Sequence, residues 1–134
     1  MSEPVFLYVE DDVTSREVME MLLMYSLGYS NYTILPDSEG FMSKLQALAK
    51  KPDVIFLDIH MQPHNGFELL SMLRSHPKYR DTTVIALTAS VMNEEVKQLE
   101  TAGFDGAIAK PIKQDVFPQL VQRILQGERI WYIV

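Results

Sequence analysis

The chain has 134 residues, of which 47% are hydrophobic and 22% are charged. This is the composition of one ordinary globular domain, long enough to bury a core without disulfides, rather than of a disordered or fibrous protein. The absence of cysteine excludes a disulfide framework, a thiolate metal site and a cysteine nucleophile. The net charge of −6, with no basic stripe, argues against nucleic-acid binding.

No segment is predicted to enter a membrane or to direct secretion. The longest apolar runs have four to six residues, whereas a bilayer span needs roughly 20. The amino terminus, residues 1–4, is acidic and leads directly into a predicted strand, which is unlike a secretory signal. We therefore expect a cytoplasmic protein without a membrane partner.

The hydrophobic pattern divides the chain into five strands, each followed by a helix. Strands are predicted at residues 5–9, 31–35, 53–58, 83–87 and 106–109. The predicted inward-facing helix residues are Val18, Met21, Leu22 and Tyr25 in the first helix, Phe41, Leu45 and Leu48 in the second, Leu69, Leu70 and Leu73 in the third, Met92, Val96 and Leu99 in the fourth, and Phe117, Leu120, Val121 and Ile124 in the fifth. Strict alternation with short connections predicts an α/β fold with a parallel sheet between two helix layers, although periodicity alone leaves the strand order open.

Four of the predicted strands end in polar side chains. The acidic run 10–12 follows the first strand, and the third, fourth and fifth strands end in Asp58, Thr88 and Lys110. Functional groups of open α/β sheets lie at the carboxyl ends of the strands, so we expect these side chains to share one crevice. Clustered carboxylates repel one another, which implies either raised pKa values or a bound cation. Oxygen ligands favour a hard cation, so the sequence predicts Mg²⁺ or Mn²⁺.

This combination of groups suits phosphoryl transfer. A divalent ion and Lys110 can neutralise the oxygens of a phosphoryl group while an oxygen nucleophile attacks in line. Asp58 can be that nucleophile, because aspartyl phosphates are established covalent intermediates.

The set of strand-end motifs resembles the receiver domain of two-component response regulators. The motifs that carry the resemblance are Glu10-Asp11, Asp58, Thr88-Ala89 and Lys110-Pro111. Each is weak alone, but together they stand in order at successive strand ends, and the resemblance covers residues 5–127. It implies a flavodoxin-like, doubly wound (βα)5 three-layer sandwich with the strand order 2-1-3-4-5. We therefore predict a receiver domain over residues 1–127 and an apolar tail over residues 128–134.

The resemblance also implies a role for each matching residue. Asp58 would accept a phosphoryl group from a phosphohistidine on a sensor histidine kinase or a histidine phosphotransfer protein. Glu10 and Asp11 would hold Mg²⁺ together with Asp58 and the backbone carbonyl of His60. The domain is therefore expected to phosphorylate itself and slowly lose the phosphate, without acting as an enzyme on a separate substrate.

The remaining motifs complete the implied phosphoryl site. Lys110 would pair with the acceptor carboxylate and then with the phosphoryl oxygens, and Lys110-Pro111 resembles the family's cis peptide. Thr88 would move to hydrogen-bond the phosphoryl group, and the small Ala89 would leave the site accessible. Asp12 fits better as a cap for the first helix than as a metal ligand.

Two positions depart from the family pattern. The proline usually found four residues after the acceptor is replaced by Gln62, and Pro63 follows it. The loop after Asp58 is therefore expected to follow a different path. Ala107 stands where the family usually has a switching Tyr or Phe. Alanine has no rotamer to switch, so a signal would leave through the loop before the fourth helix or through another side chain.

Two other function classes compete with the receiver interpretation. A Mg²⁺-dependent phosphohydrolase with an aspartyl nucleophile would need a second carboxylate, typically two residues later, where this chain has His60. A flavodoxin-type cofactor carrier would need a phosphate-binding loop after the first strand, where three negative charges stand instead. The spacing of His60, His64 and His76 places no pair on one helical face, which argues against a histidine metal site.

Two apolar features suggest partners. Met19 and Leu23 fall outside the inward stripe predicted for the first helix, which makes them candidates for a surface that docks the phosphodonor. The tail 128–134 contains five successive apolar residues, which would fold back on the domain, pair with another molecule as in a homodimer, or begin a linker. Since the tail is too short for an output domain, we expect output through contact with an unknown downstream protein.

Overall fold

A computed structural model of the protein describes residues 3–133 and contains one parallel six-stranded sheet. Its strands are β1 (Phe6–Val9), β2 (Tyr32–Leu35), β3 (Val54–Asp58), β4 (Thr83–Thr88), β5 (Gly106–Ala109) and β6 (Ile130–Tyr132). They lie in the order β2-β1-β3-β4-β5-β6, and every neighbouring pair is parallel. The central strands β1 and β3 are buried on both faces, as their continuous apolar runs predict.

Five helices cover the two faces of the sheet. They are α1 (Val13–Met21), α2 (Phe41–Gln46), α3 (Gly66–Ser75), α4 (Asn93–Ala102) and α5 (Phe117–Leu125). Helices α1 and α5 pack on one face, called here the α1/α5 face. The other three pack on the opposite face, called the α3/α4 face. Within residues 3–133, no helix has the length and apolar character required to cross a membrane.

The predicted doubly wound α/β sandwich is confirmed, and the order 2-1-3-4-5 holds for the first five strands. The inward-facing residues predicted for α3 and α5 are buried, as are Phe41 and Leu45 of α2, whereas Leu48 is half-buried. In α4, Val96 and Leu99 are buried, but Met92 is 68% exposed. Met92 lies at the N-cap in extended conformation, so it does not share the helical spacing of Val96 and Leu99.

The buried stripe of α1 was predicted correctly at Leu22 and wrongly at Met21 and Tyr25, and Val18 is half-buried. Met19, Leu22 and Leu23 are buried, whereas Met21 and Tyr25 are exposed. Apolar residues occupy nearly all sides of this helix, so the sequence allows two neighbouring stripes. The helix then widens into a π-helical turn over Leu22–Ser26, which changes the spacing at its end. Met19 and Leu23 therefore cannot form the docking surface that the sequence suggested.

The apolar tail folds back as β6 beside β5. Ile130 is opposite Gly106, and Trp131 is opposite Ala107. A Cβ atom on Gly106 would lie 2.3 Å from the backbone oxygen of Ile130, so only glycine allows this approach. The edge of β5 is thus covered by the chain's own tail. Val134 lies outside the described residues.

We expect Gly106→Ala to destabilise the domain by about 1–3 kcal/mol, because the added methyl group forces β6 away from β5. The free energy of unfolding, measured by urea denaturation, tests this. In a chain that lacks residues 128–134 the same substitution should cost much less, because the clashing carbonyl is gone. Equal losses in both chains would show that the contact with β6 is not the cause.

Candidate functional site

Polar side chains gather at the carboxyl ends of the inner strands. Glu10 follows β1, Asp58 ends β3, Thr88 ends β4 and Lys110 follows β5. Glu10, Asp58 and Thr88 are buried, and Lys110 is mostly buried. The parallel register brings these strand ends to one edge of the sheet, as the sequence predicts.

Three carboxylates form an oxygen cluster at this edge. One carboxylate oxygen from each of Glu10, Asp11 and Asp58 lies within 4.8 Å of the other two. Glu10 and Asp58 are buried, whereas Asp11 is exposed and gives the cluster an opening to solvent. Within residues 3–133 this is the one group of at least three such side chains close enough to hold a metal ion.

Lys110 joins the two buried carboxylates. Its Nζ donates to Glu10 Oε1 at 2.8 Å and to Asp58 Oδ1 at 3.2 Å. The hydroxyl of Tyr8 donates to the same Glu10 oxygen at 2.5 Å. Glu10 therefore accepts hydrogen bonds from both Tyr8 and Lys110, whereas Asp58 accepts one from Lys110.

The pKa values of these groups differ because their partners differ. Burial and the neighbouring Glu10 carboxylate together raise the pKa of Asp58 to about 7, although Lys110 opposes the shift. Burial also disfavours ionisation of Glu10, but its hydrogen bonds with Asp58, Lys110 and Tyr8 outweigh that effect and lower its pKa. Burial alone would lower the pKa of Lys110, but the two carboxylates raise it. Glu10 thus stays ionised, while Asp58 changes its protonation state near neutral pH.

The Thr88 side chain lies on the opposite face of the sheet from the charged side chains of Glu10 and Asp58. Residues two apart in a strand share a face. Asp58 follows Phe56 on the α1/α5 face, whereas Thr88 follows Ala86 on the α3/α4 face. The Thr88 Oγ1 atom accepts from the backbone N–H of Ser90 at 3.0 Å and lies 3.3 Å from the Ser90 carbonyl oxygen.

The loop after Asp58 is fixed by its neighbours. A Cβ atom on Gly66 would lie 2.7 Å from the Asp58 backbone oxygen, so glycine allows α3 to begin against the end of β3. Asn65 caps α3 in a capping box with Glu68. Ser38 donates to the His64 carbonyl at 2.7 Å and accepts from the His64 N–H at 2.8 Å.

A sequence model of the response regulator receiver domain matches residues 6–122. The chain belongs to this family. Receiver domains are signalling domains in which an aspartate generally accepts a phosphoryl group. This family assignment favours the receiver interpretation over the phosphohydrolase and flavodoxin-type interpretations.

Curated relatives support the assignment and are longer than this chain. The chain is 30% identical over 125 residues to the nitrate/nitrite response regulator protein homolog of Haemophilus influenzae, covering 92% of this chain and 58% of that protein. It is 33% identical over 127 residues to stress response regulator protein 1 of Debaryomyces hansenii, covering 92% of this chain and 51% of that protein. The chain therefore spans little more than half of these relatives.

Solved receiver structures share the fold. The signal receiver domain of a histidine kinase from Syntrophus aciditrophicus is 28% identical with a TM-score of 0.79, and the match covers 93% of this chain and 92% of that one. The receiver domain of a sensor histidine kinase from Pseudomonas aeruginosa PAO1 is 25% identical with a TM-score of 0.79, and the match covers 93% of this chain and 99% of that one. That second structure holds a magnesium ion coordinated in its active-site cleft.

The structure also shows the local environment of several other positions that the sequence analysis singled out. Asp12 caps α1 by accepting from the Ser15 N–H at 2.8 Å, as predicted. The peptide bond before Pro111 is cis, as predicted, and the bond before Pro63 is cis as well. Ala107 is fully buried. The metal-binding role of the His60 carbonyl stays a prediction.

Two residues at the receiver site were not foreseen. Tyr8 stands two positions before Glu10 in sequence, so the period of a strand could have placed its hydroxyl beside that carboxylate. Glu95 of α4 contacts His60 at 3.4 Å and lies 3.5 Å from Thr88 Oγ1. No local pattern indicates Glu95, because its contacts join three separate segments.

We expect the stability of the receiver without divalent ions to depend on pH through Asp58. The raised pKa means that the folded protein binds a proton that the unfolded chain, with an aspartate pKa of about 3.9, has lost. The resulting stabilisation is complete below about pH 4 and is lost as the pH rises through about 7. Asp58→Asn removes this titration, so its stability advantage over the wild type should grow by about 2–4 kcal/mol between pH 4 and pH 8.

Urea denaturation in a chelating buffer measures this difference at each pH. Asp115→Asn, at an exposed carboxylate, is the matched control and should show no such trend. An advantage of Asp58→Asn that stays constant across the pH range would contradict the shifted pKa.

Proposed function

We propose that Asp58 is the phosphoacceptor of this receiver and that its phosphorylated form signals by protein contact. The observation that carries the proposal is the position of Asp58 at the end of β3, in a cluster with Glu10 and Asp11 and 3.2 Å from the Lys110 ammonium. This arrangement supplies a nucleophile, a cation and a set of metal-binding oxygens in one small crevice.

The proposed donor is a phosphohistidine of a sensor histidine kinase or a histidine phosphotransfer protein. An ionised oxygen of Asp58 attacks phosphorus, the new O–P bond forms, and the P–N bond to the donor imidazole breaks. The departing imidazole takes the electron pair of that bond and then a proton. Because burial raises the pKa of Asp58, its proton has to leave before attack, and the charge of Lys110 favours that loss.

Lys110 and Thr88 have complementary roles in the proposed reaction. Lys110 already contacts the acceptor carboxylate, and its ammonium group, held by two carboxylates at the end of a long side chain, can follow the phosphoryl oxygens. Thr88 lies at the end of the neighbouring strand, and its hydroxyl must turn from the α4 side to reach a phosphoryl oxygen.

The residues at the site fit Mg²⁺. Glu10, Asp11 and Asp58 offer carboxylate oxygens only, which hard divalent ions prefer, and Mn²⁺ would suit the same donors. Burial and the nearby Glu10 raise the pKa of Asp58, so a bound divalent ion would favour loss of the Asp58 proton and relieve the repulsion between the two carboxylates. Bound there, the ion would neutralise charge on the transferring phosphoryl group. We propose the His60 carbonyl as a further ligand.

Incubation with acetyl phosphate and Mg²⁺ should add one phosphoryl group to the wild type and none to Asp58→Asn. Intact-mass measurement in acid detects the adduct. Asp53→Asn is the matched control, because Asp53 precedes the opposite end of the same strand and accepts from the Val5 N–H at 2.7 Å.

Asp53→Asn should be phosphorylated like the wild type, and a chelator should abolish the adduct in both. An adduct on Asp58→Asn would move the acceptor to another residue. No adduct on the wild type with acetyl phosphate or phosphoramidate would overturn the proposed function.

We propose α1 as the surface that docks the protein phosphodonor. Its exposed large apolar side chains are Val13 and Met21, and Met24 and Tyr25 follow in the π-helical turn. Tyr25 is 78% exposed, so its ring is available for contact with a partner. These residues take the place of Met19 and Leu23, which are buried in the core.

Met21→Glu should slow phosphotransfer from a histidine phosphotransfer protein about tenfold or more, because a charge then enters the apolar contact. Phosphorylation by acetyl phosphate should be unchanged, since the small donor needs no docking surface. Lys97→Gln, at an exposed position of α4, changes the net charge by the same one unit and serves as the control. Equal slowing with both donors would indicate damage to the site rather than to docking.

A further inference from the structure

Glu95 is the one carboxylate of the first turn of α4 that turns towards the site. Its side chain is 20% exposed, and its Oε1 lies 3.4 Å from His60 Nε2 and 3.5 Å from Thr88 Oγ1. Glu94, the preceding residue, belongs to the same turn and is exposed. A single oxygen of Glu95 thus links α4 to the end of β4 and to the loop after Asp58.

The Thr88 hydroxyl is occupied on the side of α4. It accepts from the Ser90 N–H, and its own proton can point to the Ser90 carbonyl oxygen at 3.3 Å or to Glu95 at 3.5 Å. A hydroxyl has only one proton to donate. Thr88 therefore cannot keep this donation and also donate to a phosphoryl group on Asp58.

Charge adds to this competition. A phosphoryl group brings about 1.5 to 2 negative charges at neutral pH. The mostly buried Glu95 carboxylate would face this new charge across the Thr88 side chain, in surroundings that screen less than water. The phosphoryl group and Glu95 therefore compete for the hydroxyl proton of Thr88, and their negative charges repel each other.

The first turn of α4 has few other attachments. Its N-cap residue Met92 makes no side-chain capping hydrogen bond. Met92 and the preceding Val91 are exposed, and the first buried apolar side chain of the helix is Val96. The contacts of Glu95 are therefore a large part of what holds this end of α4 to the site.

We propose that Glu95 is a positioning residue that holds Thr88 and the start of α4 in the resting arrangement until phosphorylation displaces it. The inference rests on the proposed phosphorylation of Asp58. When Thr88 donates to the phosphoryl group, Glu95 loses its contact with Thr88 and keeps only the one with His60, so the first turn of α4 is held less firmly at the end of β4. Such a link needs no rotamer change at position 107, where alanine cannot provide one.

Glu95→Ala and Glu94→Ala form a matched pair, because each removes one first-turn carboxylate and the same favourable interaction with the helix dipole. Glu95→Ala should take phosphate from acetyl phosphate and Mg²⁺ about 2- to 10-fold faster than the wild type, the effect of removing one competing hydrogen bond. Glu94→Ala should match the wild type.

Amide hydrogen exchange of the unphosphorylated proteins gives a second readout. The Val96 N–H donates to the Met92 carbonyl at 3.0 Å and reports on this turn. It should exchange faster in Glu95→Ala than in Glu94→Ala, and as fast as in the phosphorylated wild type.

The effect of Glu95 should also depend on Thr88. In a Thr88→Ala background, Glu95→Ala should no longer accelerate phosphorylation, because the hydroxyl through which it acts is gone. Equal behaviour of the Glu95 and Glu94 variants, or an acceleration that survives in Thr88→Ala, would overturn this inference while leaving Asp58 as the acceptor. Failure of the wild type to take phosphate on Asp58 overturns both proposals.

Discussion

Two buried carboxylates that share one lysine determine the arrangement of this receiver. Glu10 and Asp58 both contact the Lys110 ammonium, and Tyr8 fixes Glu10 from beneath. Removing charges from water is costly, so such groups persist only when each has partners. Here the partners are incomplete, because one positive charge serves two carboxylates and the pKa of Asp58 is raised to about 7. The same shortage of positive charge that weakens the folded state makes the site receptive to a cation.

The sheet places Glu10 and Asp58 on one face and Thr88 on the other. The two parts of the site therefore lie next to different helices. Glu10 and Asp58 lie on the same face as Tyr8 and Phe56, towards α1 and α5. Thr88 lies on the opposite face, towards α4. A phosphoryl group on Asp58 would engage both parts at once. The proposed docking surface on α1 and the start of α4 can therefore influence each other through the ends of β3 and β4.

The fold and the clustered residues could be predicted because they depend on local sequence. Apolar runs that stop at Asp58, Thr88 and Lys110 define strand ends, and a parallel sheet then brings those ends together. The buried side of α1 could not be predicted, since apolar residues surround the helix and its last turn widens. The sixth strand and Glu95 depend on tertiary contacts, between Gly106 and Ile130 in one case and among three separate segments in the other.

The backward fold of the tail has a consequence for spectroscopy. Trp131 is the only tryptophan of the chain. It lies beside Ala107 on β5, packs against the core of the α3/α4 face and is half-buried. Two residues beyond Ala107 along that strand, Ala109 pairs with Thr88. The indole thus lies beside the position where the family usually has an aromatic ring, and its emission reports on the packing of β5 and β6 without any added label.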